Sequence, residues 1–414
     1  MLKQVEAKIL LRKSLESEKT LYSEDKADDF LEMLTYLPLA MSPAAAYMKK
    51  NRTPMERYMT LFQETPESAM EILEENFHDP NRARESRNAV AATWFISFQR
   101  IEQDDKLAAD YLTFSACIAP QNVPRDIFPP APSAIQQEKA IGTLTGYAFL
   151  TERTEKGFYD IHPLVHHVTR GYLEQSGILT QTARGAIKRL RKLIPFDEDK
   201  RDKQRKEYPA YLPHGLFTAD IKEIEGEHTT INLLDSIGRC YMYLGEYNNA
   251  VLTHRKAVKR QERAVGLQNE GTLRSRNNLG LALASQGHYD EAEELLKQGV
   301  SLKEKLFGSS HLSTLISMGN LASIYRIQGR YQEAEALEIQ VLEIRKTKLG
   351  GNHPDTLTAA SNLAQTWKSQ GRHPEAISLM NNCLRLRQLV LGSNHPDTEK
   401  TLAKVRDWNS ETPV

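Results

Sequence analysis

From Thr229 onward the apolar positions recur with a helical spacing that stops and restarts. Leu273, Leu279, Gly280 and Leu283 fall on one helical face, Gln286-Gly-His288 interrupts it, and Tyr289, Ala292, Leu295, Leu296, Leu302 and Leu306 resume it. This predicts a helical hairpin. The hairpin then repeats. Gly245, Gly287, Gly329 and Gly371 are spaced by 42 residues, Ala250, Ala292, Ala334 and Ala376 follow each by five, and Asn278, Asn320 and Asn362 precede the last three by nine. A fixed period over four units without insertion predicts an α-solenoid, in which each unit buries its apolar face only against its neighbours. Gly287 can take the left-handed conformation that ends a helix, while Gly280 and Ala292 are small enough for two helices to approach closely. Gly266, Gly308, Gly350 and Gly392 are expected to end the second helices in the same way. In Gly350-Gly-Asn-His-Pro-Asp-Thr356 and Gly392-Ser-Asn-His-Pro-Asp-Thr398 the Pro and Asp fall where the next helix begins, suited by Pro's fixed φ and the helix dipole.

Residues before Thr229 lack this period and read as helices joined by Pro-containing turns. One β-hairpin is expected, with Phe149–Arg153 and Phe158–Ile161 around Lys156-Gly157. The chain as a whole is therefore expected to be all-α, with a single small sheet element.

Composition narrows the function. Lys plus Arg and Asp plus Glu both number 54 in 414 residues, so no global basic field draws the chain to nucleic acid or an anionic membrane. Cys117, Cys240 and Cys383 lie far apart and outside any C-x-x-C spacing, as for reduced intracellular thiols rather than a metal site. The mostly apolar stretch Leu37–Met48 is too short, and interrupted by Ser42 and Pro43, to span a bilayer. The start, Met1 to Lys8, mixes charges with apolar residues, unlike a secretory signal, so a cytoplasmic location is expected.

The repeated unit resembles the tetratricopeptide repeat, and its T-L-x-x-x-x-N-L, Q-G-x-Y-x-E-A and G-x-x-H-P-D-T elements resemble the kinesin light chain variety. The ordinary repeat has about 34 residues. A unit of 42 implies helices about a turn longer. The resemblance implies that the first helices line a concave face, whose inward positions, at i, i+4, i+7 and i+11, meet a bound protein or peptide. These are Asn232, Ser236, Arg239 and Tyr243; Arg274, Asn278, Leu281 and Ser285; Ile316, Asn320, Ser323 and Ile327; and Thr358, Asn362, Gln365 and Ser369. Asn278, Asn320 and Asn362 form a ladder. Such amides either bond the backbone of an extended peptide or bond only within and between the helices. The variant that clamps a C-terminal carboxylate wants Lys four residues before that Asn, where this chain has Arg274, Ile316 and Thr358. Chaperone-tail binding is not expected, and without sustained heptads neither is a motor-adaptor role.

In the first half, Leu34-Thr-Tyr-Leu-Pro-Leu-Ala-Met-Ser-Pro-Ala-Ala-Ala-Tyr47 resembles the G-L-P-L-A region of NB-ARC signalling NTPases, with Tyr36 in place of Gly. The hairpin followed by Ile161-His-Pro-Leu-Val-His-His-Val-Thr-Arg170 resembles that family's winged helix. His162 takes the place of the nucleotide-contacting His of Met-His-Asp, with Ile161 for Met and Pro163 for Asp. Tyr211-Leu-Pro-His214 resembles the helical linker, and the pairing with such repeats resembles the family's fungal branch. The resemblance implies a helical domain over 1–110, a winged-helix-like domain over 111–180 and a helical linker over 181–228. The repeats occupy 229–398 and a C-terminal helix and tail 399–414. It also makes Pro38 and His162 vestigial cofactor contacts. No G-x-x-x-x-G-K-[ST] occurs in the sequence, so neither NTPase activity nor a bound cofactor is expected.

Two rival chemistries are set aside. His162 and His166 stand at i, i+4 beside His167, but no Glu lies between them and no third ligand is evident for a metal. Lys188-Arg-Leu-Arg-Lys192 and Lys200–Lys206 could serve a DNA-binding winged helix, yet Asp197, Glu198 and Asp199 interrupt them, and a solvated helical face accounts for the run. G-x-S-x-G, H-E-x-x-H and dinucleotide-binding glycine patterns are missing too, leaving a non-catalytic interaction scaffold or signalling protein, with a nucleotide-dependent switch as the alternative and a DNA-binding regulator acting through the winged helix as the second.

Overall fold

The computed structural model describes residues 4–16, 18–65, 84–194 and 208–411. The basic run 200–206, the acidic residues 197–199 and the last three residues of the tail lie outside them. Nineteen α-helices and three short strands are described. They form two compact units, one ending at Glu225 and one starting at Gly226.

The first unit opens with α1 (Gln4–Ser14), α2 (Ala27–Met33), α3 (Pro38–Asn51) and α4 (Met55–Gln63), followed by α5 (Arg84–Asp104) and α6 (Lys106–Ser115). Aromatic rings fill its interior. Tyr58 meets Phe30 and Tyr47 edge-on, with centroids 5.9 and 5.4 Å apart, and Trp94 stacks on Phe98 at 4.8 Å while both contact Tyr172. Such geometries add to the area these side chains bury.

The expected hairpin is present as β2 (Leu150–Glu152) and β3 (Phe158–Ile161), paired Leu150 to Ile161 and Glu152 to Tyr159, with Gly157 at φ 85° in the turn. A further strand, β1 (Val123–Pro124), pairs antiparallel to β3 on its other side, so the hairpin is part of a sheet ordered β1-β3-β2. Tyr159 and Ile161 are buried and alternate with half-buried Phe158 and Asp160, the period-two pattern of a sheet with one covered face. Helix α7 (Ala134–Gly146) precedes β2, and α8 (Pro163–Gln175) and α9 (Leu179–Leu193) follow β3. In α10 (Tyr208–Ala219), His214 and Thr218 tie the helix back, His214 Nε2 to the Asn122 carbonyl at 3.1 Å and the Thr218 hydroxyl to that of Cys117 at 2.7 Å.

The second unit is four helical hairpins and a closing helix. They are α11 (His228–Leu244) with α12 (Tyr247–Val265), α13 (Glu270–Gln286) with α14 (Tyr289–Phe307), α15 (Leu312–Ile327) with α16 (Tyr331–Leu349), α17 (Pro354–Ser369) with α18 (His373–Leu391), then α19 (Pro396–Glu411). First helices run 16 or 17 residues and second helices 19, the extra length that the 42-residue period implies. Gly280 sits where expected: a Cβ there would lie 2.9 Å from Leu296, and one at Gly238 would lie 2.6 Å from the His254 ring.

The two glycine series end their helices differently, which corrects the expectation for the second. Gly245 and Gly287 cap first helices in the left-handed region, at φ 80° and 93° with ψ near zero. Gly266, Gly308, Gly350 and Gly392 instead pair φ of 80 to 90° with ψ of 157 to 174°, an extended conformation open essentially to glycine alone. The chain leaves the second helix extended rather than curling over its end. The carbonyls of Gly266 and Gly308 then accept the hydroxyls of buried Thr272 and Thr314, at 2.7 and 3.0 Å. The matching Thr356 and Thr398 of the two G-x-x-H-P-D-T junctions are buried as well, but their hydroxyls have no hydrogen-bond partner among the described residues.

Candidate functional site

Successive first helices α11, α13, α15 and α17 approach one another more closely than successive second helices do. All sixteen positions expected on that face are half-buried or exposed, while neighbours such as Leu273, Leu279, Leu283, Leu315, Leu321, Leu357 and Leu363 are buried. A face of this kind displays its polar and scattered apolar side chains without drawing on the core that holds the helices together.

The asparagines along it do not behave alike. Asn232 accepts from Arg274 at 3.1 Å, one repeat away, and touches the His228 ring. The Asn320 amide donates to Asn277 Oδ1 of the preceding repeat at 3.1 Å. Asn362 accepts a long 3.5 Å contact from Gln365, and the Asn278 amide has no hydrogen bond among the described residues. Ser236, Ser323, Thr358 and Ser369 direct hydroxyls to backbone carbonyls four residues earlier on their own helices.

Beneath this face lies a series of buried polar residues that the apolar pattern does not reveal. Gln261, Lys303, Arg345 and Arg387 recur with the same 42-residue step on the second helices, and all are buried. Lys303 donates to the Ser313 carbonyl at 3.2 Å, Arg345 to that of Asp355 at 2.7 Å and Arg387 to that of Asp397 at 3.3 Å. Each cation thus binds the first turn of the next repeat's first helix. Burial pushes the Lys303 ammonium down to about 8.

The His-Pro-Asp triplets are helix caps. His353 and His395 Nδ1 accept the Asp355 and Asp397 amides at 3.1 and 3.2 Å, His311 does the same for Ser313 at 3.3 Å, and Asn269 fills the role in the first junction. His162 shares this chemistry: followed by Pro163, it caps α8 and accepts the Leu164 amide at 3.2 Å. Pro38 opens α3 as its first helical residue. Both positions therefore have a local structural role. His166 Nε2 bonds the Ile118 carbonyl at 2.8 Å, and burial holds its pKa below the usual range. The first unit has a cavity of about 840 Å³ lined by Phe98, Phe114, Tyr172, Lys106, Lys188 and Lys192, but neither Pro38 nor His162 lines it. Leu190, Ile187 and Ala183 are buried while Lys188, Arg191 and Lys192 are exposed, so this basic run forms the outer face of an amphipathic helix.

Helical hairpins in register, with open first helices, define a tetratricopeptide repeat stack. Family models described as tetratricopeptide repeat match residues 229–305, 314–355 and 356–397. The chain is 36% identical over 273 residues to a protein of Hyaloscypha variabilis described as a nucleotide-binding leucine-rich repeat (NLR)-like protein, covering 65% of this chain and 27% of that one. The match is longer than everything after Thr229, so part of it falls in the first half. The chain spans about a quarter of that relative's length. Among solved structures, nearly identical TPR-like repeats of a kinesin light chain from Podosopora anserina are 29% identical, covering 44% of this chain and 87% of theirs with a TM-score of 0.37. A STAND protein with a tetratricopeptide repeat sensor from Pyrococcus horikoshii is 11% identical over 91% of this chain and 65% of its own, at 0.34. Superpositions this loose say nothing of how the present chain is arranged.

Proposed function

We propose that this chain is a non-catalytic interaction module that binds an extended segment of a partner protein along the open face of α11, α13, α15 and α17. The observation that carries this reading is that all sixteen inward positions are accessible while the intervening apolar residues form the core. Asn278 and Asn362 are the amides most available to a peptide backbone, and Leu281, Ile316 and Ile327 offer apolar contacts between them. Affinity capture from cell extract with the intact chain, and with Asn278, Asn320 and Asn362 all changed to Ala, tests it. Specific partners lost from the triple variant support the reading, and an unchanged set refutes it.

The NLR-like relative favours a second reading, in which the first unit is the winged-helix and helical remnant of a cytoplasmic nucleotide-dependent switch. Pro38 and His162 would then contact nucleotide. Isothermal titration with ADP and ATP separates the two: micromolar binding abolished by His162→Ala would favour the switch, and no heat would favour the scaffold.

A further inference from the structure

The polar pairs that join successive first helices follow the 42-residue period, and one junction breaks it. Ser275 donates to Asp235 at 2.7 Å, and one repeat on Ser317 donates to Asn277 at 3.2 Å. The next pair of positions is Gly319 and Ala359, which have no polar side chains, and a cavity of about 240 Å³ opens there. Ile316, Asn320, Thr358 and Asn362 of the open face line it together with Glu338, Val341 and Arg345 of α16. Glu338 is 2% exposed and neither carboxylate oxygen has a hydrogen bond of ordinary geometry among the described residues; the neighbouring Thr366 hydroxyl and Arg326 charge favour its ionised form and only partly offset its burial. Leu296 and Met380 hold the matching positions one repeat before and after, so the acid is particular to this junction. Arg345, seven residues and so about 10 Å further along the helix, is occupied by the Asp355 carbonyl.

We propose that this cavity is an anchoring pocket for one lysine or arginine side chain of the bound segment, its stem against Leu315, Val341 and Ala359 and its head on the Glu338 carboxylate. The proposal rests on the interaction-face reading. The cavity is smaller than the roughly 300 Å³ at which small-molecule sites begin, and so suits one side chain. A buried, unpaired carboxylate is costly and a cationic donor relieves that cost, whereas an apolar guest leaves it unpaired and an acidic guest is repelled. Long cationic side chains are suited to burying methylenes while presenting a charge.

The test uses the full chain and pools of acetylated, amidated decapeptides with one position fixed as Lys, Arg, norleucine or Glu, read by fluorescence polarisation. Two variants accompany it: Glu338→Gln, and Gly319→Asn with Ala359→Ser, which fills the cavity with the pair found at the preceding junction. Their melting temperatures verify folding. The Lys or Arg pools should bind the native chain at least tenfold tighter than the norleucine and Glu pools, and both variants should lose that preference. Binding that is weakened by Asn278→Ala but shows no cation preference, or a preference surviving in both variants, overturns the pocket and leaves the interaction face standing. Binding of no pool overturns both.

Discussion

The Ser317 hydroxyl donates to the Asn277 carboxamide at 3.2 Å across the junction of the second and third hairpins, and Lys303 in turn donates to Ser317 at 2.7 Å. At the next junction Gly319 and Ala359 leave both positions empty, and Arg345 stands where Lys303 would. Gly319 is helical with open space around it. Gly319→Asn combined with Ala359→Ser should therefore raise stability by about 1 kcal/mol, from one added hydrogen bond and the removal of a helical glycine. The reverse change, Asn277→Gly with Ser317→Ala, should lower it by about 1–3 kcal/mol because Lys303 loses a partner in a buried site. Urea unfolding of both double variants measures each effect.

Glu338 links stability to pH. Burial pushes its carboxyl up to about 7, with Arg326 on α15 and Glu335 on α16 as the charges acting on it, and Arg345 and Asp355 at the far end of the cavity. The unfolded chain ionises this group near the ordinary glutamate value, so the folded state holds the proton longer. Its favourable contribution is complete below that value and is lost as pH rises to about 7. The loss amounts to about 3 kcal/mol at 1.36 kcal/mol per pKa unit. Glu338→Met, which repeats the residue found at Met380, should be more stable than the native chain at pH 8 and should differ little from it at pH 4.5. Thermal melts of both proteins across this range give the difference curve, which isolates Glu338 from buried His166 and His214.

Two glycines should respond in opposite directions. A Cβ at Gly238 would press on the His254 ring at 2.6 Å, so Gly238→Ala is expected to cost about 1–3 kcal/mol through overpacking. Gly142 in α7 has nothing within 4 Å, so Gly142→Ala should stabilise by about 0.5–1 kcal/mol. Chemical denaturation midpoints of the two variants should move to either side of the native value.

His353 caps α17 through its ring nitrogen. Removing it as His353→Ala should cost about 1 kcal/mol, as loss of a helix cap does, and His353→Asn should restore most of this because Asn269 fills the same role. Melting temperatures of the two variants decide the matter.

The repeats were legible because a solenoid writes its packing into the sequence at a fixed step: the glycines, the small residues at Gly280 and Ala292 and the Leu positions all recur. The sheet was half legible. Two short segments around Lys156-Gly157 marked the hairpin, whereas β1 is two residues long, one of them Pro124, and carries no periodicity. The open face was proposed from the resemblance to tetratricopeptide repeats, with helical spacing supplying its individual positions. The buried Lys303–Arg345–Arg387 series could not be recognised, because a basic residue every 42 positions looks like a solvated one until its carbonyl partner, ten residues later in the chain, is seen. The role of His162 illustrates the same ambiguity, since a His-Pro pair that caps a helix and one that meets a nucleotide read alike.

Site-specific photo-crosslinking asks directly which side of the repeats meets a partner. A benzophenone amino acid placed at Leu281 or Ser323 on the first helices, or at the exposed outer positions Leu252 or Leu389 on the second helices, is irradiated in cell extract. The interaction-face reading predicts a discrete partner band from Leu281 and Ser323 that is missing from Leu252 and Leu389. Equal crosslinking from both sides, or from the outer positions alone, would contradict it.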